Sequence, residues 1–349
     1  MTIRIFTRLN APLKRVADEA REIESLGFDG VLADEIAHDP FYPLLIVAEH
    51  TKKLQVMTGI AVGFARSPMT LAVLAHDLNA LSGGRFSLGL GSQIAPHITR
   101  RFSMPWSSPA SRMREMVQAI RAIFANWYSD APLCFEGEFY THTLMPPLFR
   151  PEDIEHGAAR IGVAAVGPLM TETAASVADF LLVHSFTTED YIRQHSLPHV
   201  HAGLAKTGRE ASALRLFYPP FIITGATEEK FAECRAAAKE RIAFYASTPA
   251  YRPILERHGW GELQTELQAL TRANRWAEMP SLISDEMLAT FGAVGEAKDI
   301  APVLWRRYGD VIQDFSLICP FISLETLAGI GADLRLLSEQ DAASRQPTP

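Results

Sequence analysis

Residues 81–93 read LSGGRFSLGLGSQ. The Gly83-Gly84 pair predicts a helix stop and Arg85–Leu90 a short buried strand, after which Gly89 and Gly91 leave the backbone bare at the strand end. Glycine lacks the Cβ that holds a flat ligand off the main chain, and it tolerates φ > 0 where a strand turns out of its sheet. A planar or anionic ligand therefore fits this strand end. The run lacks the third glycine of a dinucleotide fingerprint, and a plain buried strand ending in a turn is the alternative reading.

Upstream, Ile3–Thr7 is β-prone and Val16, Ala20, Ile23 and Leu26 recur at helical spacing until Gly27. Phe28–Ala33 is a buried strand whose end carries Asp34, Glu35 and His38. Pro43–Lys53 reads as a helix and Leu54–Val62 as a strand interrupted by Gly59, where a bulge is expected. Ser67-Pro68 opens the next helix as N-cap and first residue. Downstream, 95–109 is a polar and aromatic loop of the length kept for function. Met113, Met116, Val117, Ile120, Ile123, Phe124 and Trp127 then mark one face of a long helix. FEGEFY reads as a hairpin. Arg160–Val166, Phe180–Val183, Leu214–Ile223 and Asp314–Cys319 complete eight strands, each followed by a helix or helical excursion.

That alternation predicts an α/β fold, a (β/α)₈ TIM barrel with insertions, ahead of a doubly wound sheet. A single domain is expected over residues 1–340, with a helical insertion around 228–307 and a frayed polar tail at 341–349. The 349 residues are 48% hydrophobic, enough for a large core. With 33 basic against 40 acidic residues the net charge is −7, which offers no footprint for nucleic acid or an anionic membrane. Cys134, Cys234 and Cys319 are widely spaced without a CxxC, which suits a reducing cytoplasm better than a disulfide framework. The amino terminus has no apolar leader core, and no window is apolar enough to span a bilayer.

In a barrel, chemistry sits at the carboxyl ends of strands. These ends hold Asp34, Glu35 and His38, then Gly59 to Gly63, Gly91 to Gln93, Gly167-Pro168, and His184. Two are glycine-rich, favouring a cofactor that rests on backbone and carries the hard step. Gly167-Pro168-Leu169-Met170 lies at a strand-to-helix turn, where free amides suit a phosphate. Glu35 with His38 is a candidate proton relay, although Asp34 and Glu35 equally suit a helix cap. His184 is a lesser candidate. Pro198 breaks the helix that would align His195 and His199, so no metal site is expected. Nucleophile-elbow and phosphate-loop motifs are absent.

The stretches FDGVLADE, TGIAVGFARSPMTLAVLAHDLNALSGGRFSLGLGSQ, RMREMVQAIRAIF, FEGEFY and VAAVGPLMTETAASVADFLLVHSF resemble the bacterial-luciferase-like (LLM class) flavin and deazaflavin oxidoreductase superfamily. DPFYPLLIVAEHT, GSQIAPHITRRFSMPW, AFYASTPAYRPILERHGWG and RYGD resemble its F420-dependent oxidoreductase subgroup. The resemblance implies a non-proline cis peptide at Gly59-Ile60 behind the cofactor ring. It implies Gly91, Ser92 and Gln93 along the ring, with Val166, Gly167, Pro168, Leu169 and Met170 as the phosphate loop. Glu35 stands beside Asp34 where relatives carry a catalytic histidine, and Gln93-Ile94 where some carry a glutamate. Both are departures. The implied activity is hydride transfer between coenzyme F420 and a small organic substrate, with Glu35, His38 or His184 moving the proton. An FMN-dependent monooxygenase served by a separate reductase is the alternative, and a cofactor-binding relative without turnover is a third. A homodimer is expected. The substrate pocket is expected from the 95–108 loop and residues 244–280.

Overall fold

Apolar runs buried on both faces make parallel strands, and eight of them close on one another. The computed structural model describes residues 3–344. Its barrel strands are β1 (Arg4–Arg8), β2 (Gly30–Ala33), β3 (Gln55–Thr58), β4 (Phe86–Gly91), β5 (Arg160–Ala165), β6 (Phe180–Val183), β7 (Arg215–Tyr218) and β8 (Asp314–Ser316). Each pairs in parallel with the next in sequence, and β8 pairs with β1 through Arg4 and Asp314. The expected closed barrel is thus formed. Phe6, Leu32, Met57, Phe180, Leu182 and Phe217 fill its interior, while a larger apolar layer lies between strands and helices. The barrel is a packed core, with a cavity of only about 10 Å³ at its amino-terminal end.

Local chemistry sets the helix starts. Ser67 Oγ accepts from the Thr70 amide and Pro68 occupies the first helical position, as expected. Phe135–Glu136 and Thr141–His142 form the expected antiparallel hairpin.

Several strand ends shift by one or two residues, and three expected runs are cut short by more than that. Leu54–Val62 is broken: β3 stops at Thr58, the Gly59–Ile60 peptide is cis, and Ala61–Val62 then pairs with Leu90 and Gly91. Leu214–Ile223 is also broken, because Pro219 and Pro220 have no N–H for a ladder. After them Phe221–Ile223 leaves the barrel and pairs in parallel with Gly292–Val294. Asp314–Cys319 keeps strand pairing only to Ser316, and the chain turns at Pro320.

Between those two outlying strands lie the helices Glu228–Ala246, Arg252–Glu256, Gly261–Arg272 and Asp285–Phe291. Ala297–Tyr308, placed by sequence inside the insertion, packs against the last helix and leads directly into β8. That last helix runs Leu324–Ser344 and takes in Asp341–Ser344, the first part of the segment expected to fray. Residues 345–349 lie outside the described residues. No helix among the described residues is long and apolar enough to cross a membrane.

Candidate active site

Side chains alternate across a strand, so the residue two beyond an interior one also faces the barrel axis. In β2, Leu32 points inward while Val31 and Ala33 point outward. Asp34 therefore faces the mouth and Glu35 faces away. The same rule aims Arg8 inward above Phe6, His184 inward above Leu182, and Ser316 inward beside the outward Phe315.

Arg8 and Asp34 meet across β1 and β2, Nε to Oδ2 at 2.9 Å, with the Asp34 side chain 13% exposed. Asp34 Oδ1 and the fully buried Ser316 Oγ have no hydrogen-bond partner. Burial pushes the Asp34 carboxyl above its ordinary value, and the charges of Arg8 and Arg241 only partly oppose it. Arg241 comes from the helix Glu228–Ala246.

Four strands away, on the opposite wall, His184 Nδ1 accepts the Phe186 amide at 3.0 Å, which leaves the ring proton on Nε2. Nε2 lies 3.2 Å from Tyr251 Oη, so His184 donates and the Tyr251 hydroxyl keeps its own proton to give. The two rings stack at 5.0 Å between centroids, and Tyr245 stands edge-on to His184 at 4.8 Å. Burial pushes His184 down to about 4, so the imidazole is neutral near pH 7. Burial also raises the Tyr251 hydroxyl. The wall is neutral and donor-rich.

Glu35 is placed differently from its expected role. Its Oε2 accepts from the Val62 amide at 2.7 Å and from Arg66 Nη1 at 2.6 Å, while Arg66 Nη2 reaches Asp39 Oδ2 at 2.7 Å. The Glu35 amide donates to Ile60 O at 3.1 Å. Glu35 and Arg66 therefore clasp the cis-peptide bulge from outside the mouth. His38 is exposed on the loop beyond, and the Arg101 guanidinium holds the carbonyl of Ile36 on the same loop. Glu35 and His38 do not meet as a relay.

The bare glycines of β4 also have a different use. A Cβ on Gly89 would lie 2.1 Å from Thr58 O, and one on Gly91 would lie 2.7 Å from the Ile60 side chain. That space admits the bulge of β3 rather than a ligand. The bulge itself, with Ile60 over Gly91, forms the wall, and Gln93 turns out of β4 at φ 58°. Ser92 Oγ donates to Gln93 O at 3.1 Å.

Gly167, by contrast, is open: a Cβ there would meet nothing within 4 Å. It caps the helix Pro168–Val177, and its carbonyl accepts from Thr171 N. Pro168 has no amide, so the Leu169 and Met170 amides are the free donors of the first turn. Leu169 is exposed, Val166 and Met170 half-buried. Of the histidines further on, His199 pairs through Nδ1 with Glu172 at 2.9 Å.

These features define a (β/α)₈ barrel with a set of buried polar groups at the strand carboxyl ends beside an open helix amino terminus. A profile of the luciferase-like monooxygenase family matches residues 2–308, and the chain belongs to that family. It is 48% identical over 301 residues to an uncharacterized protein of Mycobacterium tuberculosis (strain ATCC 25618 / H37Rv), covering 86% of this chain and 88% of the relative. It is 28% identical over 286 residues to a 5,10-methylenetetrahydromethanopterin reductase of Archaeoglobus fulgidus, covering 79% and 81%. The coenzyme F420 dependent tetrahydromethanopterin reductase from Methanopyrus kandleri has a similar structure, with a TM-score of 0.76 at 18% identity over 95% of this chain and 97% of that one. Two of these three proteins are named as reductases, and the solved one as coenzyme F420 dependent.

Arg8, Ser316, Arg241, Tyr245 and Tyr251 were not singled out by sequence reasoning. Strand alternation through RIFTR would have found Arg8. The two tyrosines lie within the segment expected to line the pocket, but nothing local ties them to His184.

Proposed function

We propose that this protein is an F420-dependent oxidoreductase that moves hydride between the deazaflavin and a small organic substrate. The observation that carries this reading is the inward carboxyl of Asp34, with an unpartnered oxygen, facing a neutral His184–Tyr251 pair across the mouth. Such a donor set suits a flat, hydrogen-bonding ring and an uncharged substrate oxygen. The residues fit the cofactor: Ile60 and Gly91 to Gln93 would back the ring, and Gly167 with the Leu169 and Met170 amides would receive the phosphate.

When bound, the deazaflavin supplies or takes up an electron pair as hydride. Asp34 holds the accompanying proton at Oδ1, because burial opposes its ionisation. Tyr251 donates a hydrogen bond to the substrate oxygen, and His184 Nε2–H supports the developing charge on the phenol oxygen. The Phe186 amide keeps that tautomer. Arg8 orients Asp34, and Tyr245 limits water on the far side of His184.

Titration of the purified protein with F420 and with FMN tests this reading. Micromolar F420 binding without FMN binding is expected; the reverse would replace it with the FMN monooxygenase reading.

A further inference from the structure

Two cysteines 85 positions apart in sequence meet below the helix that carries Arg241 and Tyr245. Cys234 lies on that helix and Cys319 follows β8, with 4% and 6% exposure. Cys234 Sγ donates to Ile222 O at 3.6 Å and Cys319 Sγ to Thr224 O at 3.8 Å, two carbonyls at one strand end. The two thiols also lie close enough to influence each other's ionisation. Both sulfurs are free.

We propose that Cys234 and Cys319 are an oxidisable dithiol that closes to a disulfide when a hydroperoxide reaches it. The contact with Cys234 and the amides of Phe321 and Ile322 hold the Cys319 thiol below its ordinary value, against its burial, while the same contact and burial push Cys234 up. Cys319 is thus the attacking thiolate and Cys234 the resolving thiol. The Cys319 sulfur attacks the near peroxide oxygen, the O–O bond breaks, and water or an alcohol leaves after protonation, giving a sulfenic acid. Cys234 then attacks that sulfur and expels water. Two thiols lose two electrons and two protons in all, and one hydroperoxide is reduced. Burial selects a small oxidant over a bulky disulfide.

The link would tie the helix Glu228–Ala246 to the chain after β8. That helix supplies Arg241 opposite Asp34 and Tyr245 against His184, so an effect on turnover is expected, and this part rests on the proposed function. The dithiol chemistry does not.

The test uses the full chain. Protein is treated with graded hydrogen peroxide, alkylated after denaturation and mapped by mass spectrometry, with exposed Cys134 as internal reference. A Cys234–Cys319 disulfide that dithiothreitol reverses is expected, with Cys319→Ser leaving Cys234 reduced and Cys234→Ser accumulating a dimedone-reactive Cys319. Both thiols surviving peroxide doses that consume Cys134 would overturn the proposal; this wild-type comparison does not depend on the variants folding. A disulfide that forms without changing turnover of the F420-loaded protein would overturn the coupling alone.

Discussion

Asp34 is an ionisable group at the mouth whose charge burial opposes. Its folded pKa is raised above the ordinary 3.8, so the native state holds the proton more tightly than the unfolded chain does. Its stabilising contribution is complete below 3.8 and is lost as pH rises through the raised value. Asp34→Asn keeps the shape and removes that loss, so it should raise the melting temperature at pH 7. The same change should slow the hydride-transfer cycle by about 10²–10⁴-fold, read in single-turnover kinetics. His184 runs the other way. Its folded pKa of about 4 lies below the ordinary 6.5, so the stability tied to its neutral form is complete above 6.5 and is lost as pH falls towards 4. His184→Gln should flatten the melting-temperature profile across that window, by at most roughly 3 kcal/mol at its acid end. An unchanged slope would place the acid sensitivity elsewhere. The proximity of Asp34, Glu35 and His38 was legible in the sequence, but their division of labour was not. That depends on which neighbour faces inward, and on Arg66, a residue 31 positions away, folding back onto Glu35.

Among the elements, β4 and the helix after Gly167 make a matched contrast. Both carry glycines at strand ends, yet only the β4 glycines are sterically required: Thr58 O sits 2.1 Å from where a Gly89 Cβ would go, while the Gly167 position is open. Gly89→Ala should cost about 1–3 kcal/mol, measured by urea unfolding, because β3 and β4 must part to admit the methyl group. Gly167→Asp should leave the fold near wild-type stability and weaken cofactor binding, since a carboxylate would face the phosphate. Unchanged affinity would remove this loop from the site. The strands were legible as apolar runs bounded by glycine and proline. The reason for the bare β4 backbone was not, because it lies in a bend of the neighbouring strand.

The whole molecule closes at its amino-terminal end through Asp314. This carboxylate is 1% exposed and takes Arg4 Nη2 at 2.7 Å and Arg215 Nη2 at 2.6 Å, joining β1, β7 and β8. Those hydrogen bonds and charges hold its pKa below the ordinary value despite burial. Asp314→Asn would leave the two guanidinium groups facing each other with Arg160 nearby, and should cost about 3–5 kcal/mol. The expected readout is a lower urea midpoint at unchanged slope. Sequence periodicity revealed eight strands but not this joint, whose arginines lie 310 and 99 positions from Asp314.

The short ladder between Phe221–Ile223 and Gly292–Val294 lies outside the barrel and pins both ends of the inserted helices side by side. A segment whose ends are already neighbours pays loop-closure entropy that grows by only about 0.6 kcal/mol per doubling of length. The cap over the mouth is thus free to lengthen, shorten or be exchanged for another while the barrel beneath keeps its registration. On the proposed function, the inserted segment could then be exchanged to alter what enters the mouth, with the deeper Arg8–Asp34 pair left in place.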